Sequence, residues 1–166
     1  MFEDELTSRI AEFLNRAGIE VVPARLEGDC FLPGVRVERG RLLVDECRLT
    51  YPGDLLHEAG HLAVAPAALR HSLSGEVLIP GADMDAVEAQ ATAWAYAALR
   101  HLGLDARVLF HEGGYAGKSA GLIFTYTAGV YPGAFDLQTL GLTATGELAR
   151  TLNVAPYPHM LKWLRD

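Results

Sequence analysis

The chain has 166 residues, with 14 basic and 21 acidic side chains for a net charge of −7, and it is 50% hydrophobic and 21% charged. That length supports one sizeable core with little room for a second, so one domain over residues 1–166 is expected. The composition excludes disordered, collagen-like and low-complexity classes, and the acidic balance disfavours non-specific binding to a phosphate backbone.

In chain order, residues 3–17 are predicted helical. Leu6, Ile10, Phe13, Leu14 and Ala17 fall at helical spacing, acids occupy the first turn, and Gly18 is a stop. Ile19–Val22 is a short strand ended by Pro23. Val35–Glu38 and Leu42–Val44 flank Arg39-Gly40 and form a candidate hairpin. Pro52 opens a helix over about 52–65, closed by Pro66. Residues 66–82 read as irregular, and a long helix runs from about Asp83 to His101. Residues 117–129 are apolar, and periodicity leaves helix and strand both open. The tail from Thr143 to Leu164 reads as one or two short helices interrupted by Pro156 and Pro158. The expected fold class is α+β, with helices on a short, mostly antiparallel sheet.

The start of the chain is acidic and amphipathic, unlike a signal peptide, and no apolar run reaches the ~18 residues of a membrane span. The expectation is a soluble cytoplasmic protein without a membrane partner. The two cysteines, Cys30 and Cys47, are expected as reduced thiols.

Residues 57–61 read His57-Glu58-Ala59-Gly60-His61, an HExxH pattern. On a helix, positions i and i+4 lie about 40° apart on one face, so both imidazoles can reach one Zn²⁺. Glu58 is rotated about 100° from His57, placed to meet a water and not to ligate the ion. Six histidines and twelve glutamates in a chain of this length give about 0.015 such matches by chance, which argues against coincidence. An open catalytic zinc site needs a third protein ligand. The metzincin continuation fails, because Val64 and Ala67 stand where Gly and His are required. Glu88 is the only charge between Ala86 and Leu99 in a helix apolar on nearly all sides, where a carboxylate needs a partner. The partner is a metal or an arginine such as Arg100 or Arg107. Asp85 competes as third ligand, although its place near the helix start also suits a cap. Thr92, one turn after Glu88, either hydrogen-bonds a ligand or packs against its own backbone.

This combination, His57-Glu58-Ala59-Gly60-His61 followed by an apolar helix with Glu88-Ala89-Gln90 and Ala93-Trp94-Ala95, resembles the small bacterial zincin metallopeptidases of the ImmA/IrrE type. The resemblance covers roughly residues 40–100. It implies a gluzincin-like fold, His57, His61 and Glu88 as zinc ligands, and Glu58 as catalytic base. The Gly- and Tyr-rich segment after residue 103 departs from that pattern.

The expected function is a zinc-dependent metallohydrolase, a peptidase acting on a peptide or protein substrate. Glu58 would take a proton from the zinc-activated water and pass it to the leaving amine. Tyr115, Tyr126, Tyr131 and His111 are candidates by residue type for oxyanion stabilisation. His111-Glu112-Gly113-Gly114-Tyr115 reads as a loop that either rims the cleft or lies on the surface. Arg41–Asp45 is a candidate edge strand for pairing with an extended peptide, or an ordinary core strand. The alternative is a non-catalytic metal-binding or interaction module on the same fold. A third reading takes residues 142–166 as a helix-turn-helix with Asn153 at the turn; the prolines and a local charge of only about +1 disfavour DNA binding.

Overall fold

The computed structural model describes residues 2–28 and 31–166. Its described elements are α1 (Glu5–Ala17), β1 (Val21–Pro23), β2 (Val35–Glu38), β3 (Arg41–Val44), α2 (Asp54–Val64), α3 (Ala67–Arg70), α4 (Met84–His101), α5 (Ala106–Leu109), a short 3-10 turn (Tyr115–Gly117), α6 (Ser119–Thr127), α7 (Ala134–Thr139) and α8 (Gly146–Leu152). The architecture is mixed α and β. No helix among the described residues is long and apolar enough to cross a membrane.

The helix boundaries follow local chemistry. Asp4 caps α1 by accepting from the Thr7 N–H at 2.7 Å, and Gly18 ends it in the left-handed conformation at φ 94°. Asp83 caps α4 by accepting from the Asp85 N–H. Capping at this end therefore falls to Asp83, and Asp85 has only first-turn placement. α2 ends where Ala65 turns extended before Pro66. The apolar segment that periodicity left open is helical, as α6.

The three-stranded sheet corrects the expectation of a mostly antiparallel arrangement. Its order is β1-β3-β2, with β1 parallel and β2 antiparallel to β3. The hairpin forms as expected, yet β3 is the central strand, so Arg41–Asp45 is not an edge. Both sides of β3 are engaged: Leu42 N–H donates to the Glu20 carbonyl, and Asp45 N–H donates to the Gly34 carbonyl. The outer edge beside the site belongs to β2.

α2 and α4 form the centre of the core. Leu55, Leu56, Ala59, Leu62, Ala63 and Val64 are buried on α2, and every residue from Ala91 to Leu99 is buried on α4. The two backbones come so close that a Cβ on Gly60 would lie 2.4 Å from the Ala91 carbonyl oxygen. The C-terminal tail closes the back of this pair. Trp94 Nε1 donates to the Trp163 carbonyl, Tyr157 OH to the Ala93 carbonyl, and Arg165 N–H to the Ala63 carbonyl. Asn153 does adopt the left-handed turn after α8, but no helix follows it among the described residues, so the tail has no recognition helix. The expectation for Cys30 lies outside the described residues, and Cys47 is exposed.

Candidate metal centre and its cleft

α2 presents His57 and His61 one turn apart, and α4 brings Glu88 across to them. His57 Nε2 and His61 Nε2 are 3.2 Å apart. Glu88 Oε1 lies 3.2 Å from His57 Nε2, and Glu88 Oε2 lies 3.2 Å from His61 Nε2. These three residues form a group that could hold a metal ion. Ligands at about 2.0–2.1 Å from a tetrahedral ion stand about 3.3–3.4 Å from one another. The two imidazole nitrogens sit close to that spacing, each faces a different oxygen of Glu88, and with one atom taken from each residue the three lie within 4.8 Å of one another; two imidazoles with one carboxylate are a borderline-soft set suited to zinc.

Glu88 thus pairs with the two histidines and not with Arg100 or Arg107. Its side chain is 51% exposed, a correction to the picture of a carboxylate sealed in an apolar helix. The buried stretch of α4 begins at Ala91, one turn later, and Glu88 stands where the helix emerges into the cleft. Hydrogen bonds from His57 and His61 hold the Glu88 carboxyl far below the usual carboxylate range. Burial opposes protonation of His57, but the hydrogen bond and charge of Glu88, with the charges of Glu58 and Asp54, leave its pKa raised.

The cleft over the cluster has a volume of about 800 Å³. Glu58 lines it from the same helix. Burial first, and then the nearby charges of Asp54 and Glu88, raise its carboxyl above the ordinary value of 4.5, against the opposing pull of His61 and His57. Asp85 also lines the cleft but lies outside the ligating group. Thr92 is buried.

The aromatic candidates separate by position. Tyr126 OH donates to the Pro132 carbonyl and is buried, and Tyr131 packs on Tyr157. Neither lines the cleft. Tyr115 does, with its hydroxyl 3.4 Å from His57 Nδ1. Burial, with the charges of Glu88 and Asp54, raises its pKa, so the hydroxyl stays protonated. The loop carrying it rims the cleft through Gly113, Gly114 and Ala116.

His111 does not line the cleft. Its Nε2 is 2.8 Å from Asp54 Oδ1 in a pair whose side chains are 7% and 8% exposed. Sequence reasoning missed this pair, because Asp54 had a sufficient explanation as a first-turn acid. The available signal was its place three residues before His57, on the same helix face.

β2 borders the cleft through Val35, Arg36 and Val37. Alternation along the hairpin turns the main-chain groups of Val35 and Val37 away from β3. Val35 N–H donates to the Leu32 carbonyl, and the Val37 carbonyl accepts from Gly75 N–H. Leu32 and Val35 form an antiparallel bridge, so the main chain of Val35 is engaged within the chain itself. Phe31 and Leu78 are exposed apolar side chains lining the same cleft.

No protein-family model, curated protein or solved structure matches this chain.

Proposed function

We propose that the protein is a zinc-dependent metallopeptidase that cleaves peptides or proteins bound in this cleft. The observation that carries the reading is the meeting of His57, His61 and Glu88, with one Glu88 oxygen 3.2 Å from each imidazole nitrogen and those nitrogens 3.2 Å apart, and with Glu58 beside them in an open cleft. His57, His61 and Glu88 would hold the ion, which would supply Lewis acidity and lower the pKa of a coordinated water to about 7. Glu58 is the base. Its raised pKa brings it nearer to neutrality than an ordinary glutamate, which suits a group that takes a proton and then gives it to the leaving amine. Tyr115 keeps its proton and offers a hydrogen bond toward the oxygen that gains charge.

The test is zinc content per chain and hydrolysis of an unstructured protein such as α-casein, for the wild type, Glu88→Ala and Glu58→Gln. The reading expects about one zinc in the wild type, most of it lost in Glu88→Ala. Glu58→Gln should keep the zinc and lose activity by at least about a hundredfold. Zinc retained in Glu88→Ala would move the third ligand to Asp85 or elsewhere. No zinc in the wild type after addition at neutral pH would overturn the reading.

A further inference from the structure

Between the start of α2 and the loop that carries Tyr115 lies a compact buried unit with no role in holding a metal. Asp54 Oδ1 and His111 Nε2 meet at 2.8 Å, both side chains more than nine-tenths buried. The Tyr51 ring lies flat on the His111 ring, with centroids 3.7 Å apart and planes 8° from parallel. Ser119 Oγ donates to the His111 carbonyl at 2.6 Å, fastening the far end of the loop. The glycines between are required by this closeness. A Cβ on Gly113 would lie 2.5 Å from the Tyr51 ring, and one on Gly114 would lie 3.0 Å from the His111 ring.

The next two residues, Tyr115 and Ala116, both hold left-handed backbone, with φ of 56° and 49°. Non-glycine residues rarely adopt this conformation, and two in succession persist only where the surroundings impose it. The result is a Tyr115 ring set edge-on to His57, with centroids 5.5 Å apart. A buried pair of ionisable groups often stabilises a fold no more than apolar residues of equal volume would. Its position therefore calls for another account.

We propose that Asp54 and His111 are positioning residues: their hydrogen bond clamps the 111–116 loop to the first turn of α2 and so fixes the Tyr115 hydroxyl beside His57 Nδ1 at the wall of the cleft. The kinetic consequence rests on the peptidase reading; the clamp itself does not. His111 acts through Tyr115. Its effect on a reaction thus runs through the same hydroxyl and disappears when that hydroxyl is gone.

The experiment uses the full chain and four variants. His111→Phe keeps a ring for Tyr51 to stack on and removes the hydrogen bond. Asp54→Asn keeps an acceptor for His111. Tyr115→Phe removes the hydroxyl, and the His111→Phe/Tyr115→Phe double variant closes a cycle. The first readout is amide hydrogen exchange. In His111→Phe, residues 112–118 should exchange at least about tenfold faster with α4 unchanged, and Asp54→Asn should exchange more slowly than His111→Phe. The second readout is hydrolysis of α-casein by the zinc-loaded proteins. His111→Phe should lower kcat about tenfold or more with KM within about twofold, and it should add nothing in the Tyr115→Phe background. Unchanged exchange at 112–118, or losses that add in the double variant, would overturn the clamp. If His111→Phe does not fold, Tyr51→Leu releases the stack from the half-buried side and must loosen the same residues. A wild type that cleaves nothing counts against the peptidase reading, while the exchange data still decide the clamp.

Discussion

Gly60 lies inside the HExxH sequence, and its replacement by alanine perturbs the fold and the candidate centre together. The new Cβ would sit 2.4 Å from the Ala91 carbonyl oxygen, 3.0 Å from its carbon and 3.1 Å from its Cα. Ordinary contact begins near 3.4 Å, so α2 and α4 must separate by roughly 1 Å, and the obstacle is backbone in a buried helix that cannot swing aside. Overpacking of this kind costs about 1–3 kcal/mol, and the better helix propensity of alanine returns up to about 1 kcal/mol. The expected net loss is about 1–2 kcal/mol, a fall in Tm of roughly 2–8 °C for a domain of this size. The same displacement carries Glu88 on α4 away from His57 and His61 on α2, opening separations now at 3.2 Å. Zinc affinity should drop by about tenfold or more. Thermal unfolding of the metal-free protein and zinc competition against a chromophoric chelator measure the two effects. Gly121→Ala is the control. That glycine is on α6 with nothing within 4 Å of its would-be Cβ, so alanine there should stabilise by about 0.4–1 kcal/mol. If Gly60→Ala also raises Tm and leaves zinc affinity untouched, the close approach of α2 and α4 is refuted.

Three further outcomes are expected. The His57–Glu88 interaction should make metal-free stability depend on pH with a defined sign. His57 is raised above 6.5, so its contribution is present below that value and is lost as pH rises through the folded pKa. Glu88 is lowered below 4.5, so its contribution is present above that value and is lost only as pH falls through the folded pKa. The pair therefore helps the apo protein most between 4.5 and 6.5, whereas zinc requires neutral imidazoles. The rise in Tm on adding zinc should be larger at pH 8 than at pH 5.5, and the reverse order would refute this. The acid limb of kcat/KM should lie above pH 4.5, since Glu58 is raised, and titrating zinc occupancy over the same range separates it from metal loss. Phe31→Ser and Leu78→Ser remove exposed apolar side chains from the cleft rim. Each should raise KM for an apolar peptide several-fold with Tm unchanged, and a shift in Tm without a change in KM would assign them to folding.

Much of the candidate centre is legible in the sequence because helices are written locally. The His57–His61 spacing, the acid beside it, the Asp4 and Gly18 boundaries of α1 and the apolar run from Ala91 to Leu99 are each decided within one or two turns. Even Glu88 stands out, as a single charge in such a run. Its actual setting does not follow from that pattern: the side chain is half exposed and meets the histidines across the α2–α4 contact, where the two backbones come close at Gly60. Sheet order escaped for a similar reason. The hairpin is local, but β3 becomes central through parallel pairing with β1, some twenty residues earlier, a contact that no local pattern encodes. The selection of Tyr115 over Tyr126 and Tyr131 and the Asp54–His111 contact join residues about 57 positions apart. Short-range periodicity carries no information at that separation. The sequence by itself determined the main helices α1, α2 and α4 and the residue types of a candidate metal centre; packing of α2 against α4 and closure of the 111–119 loop decided which groups face one another across the cleft.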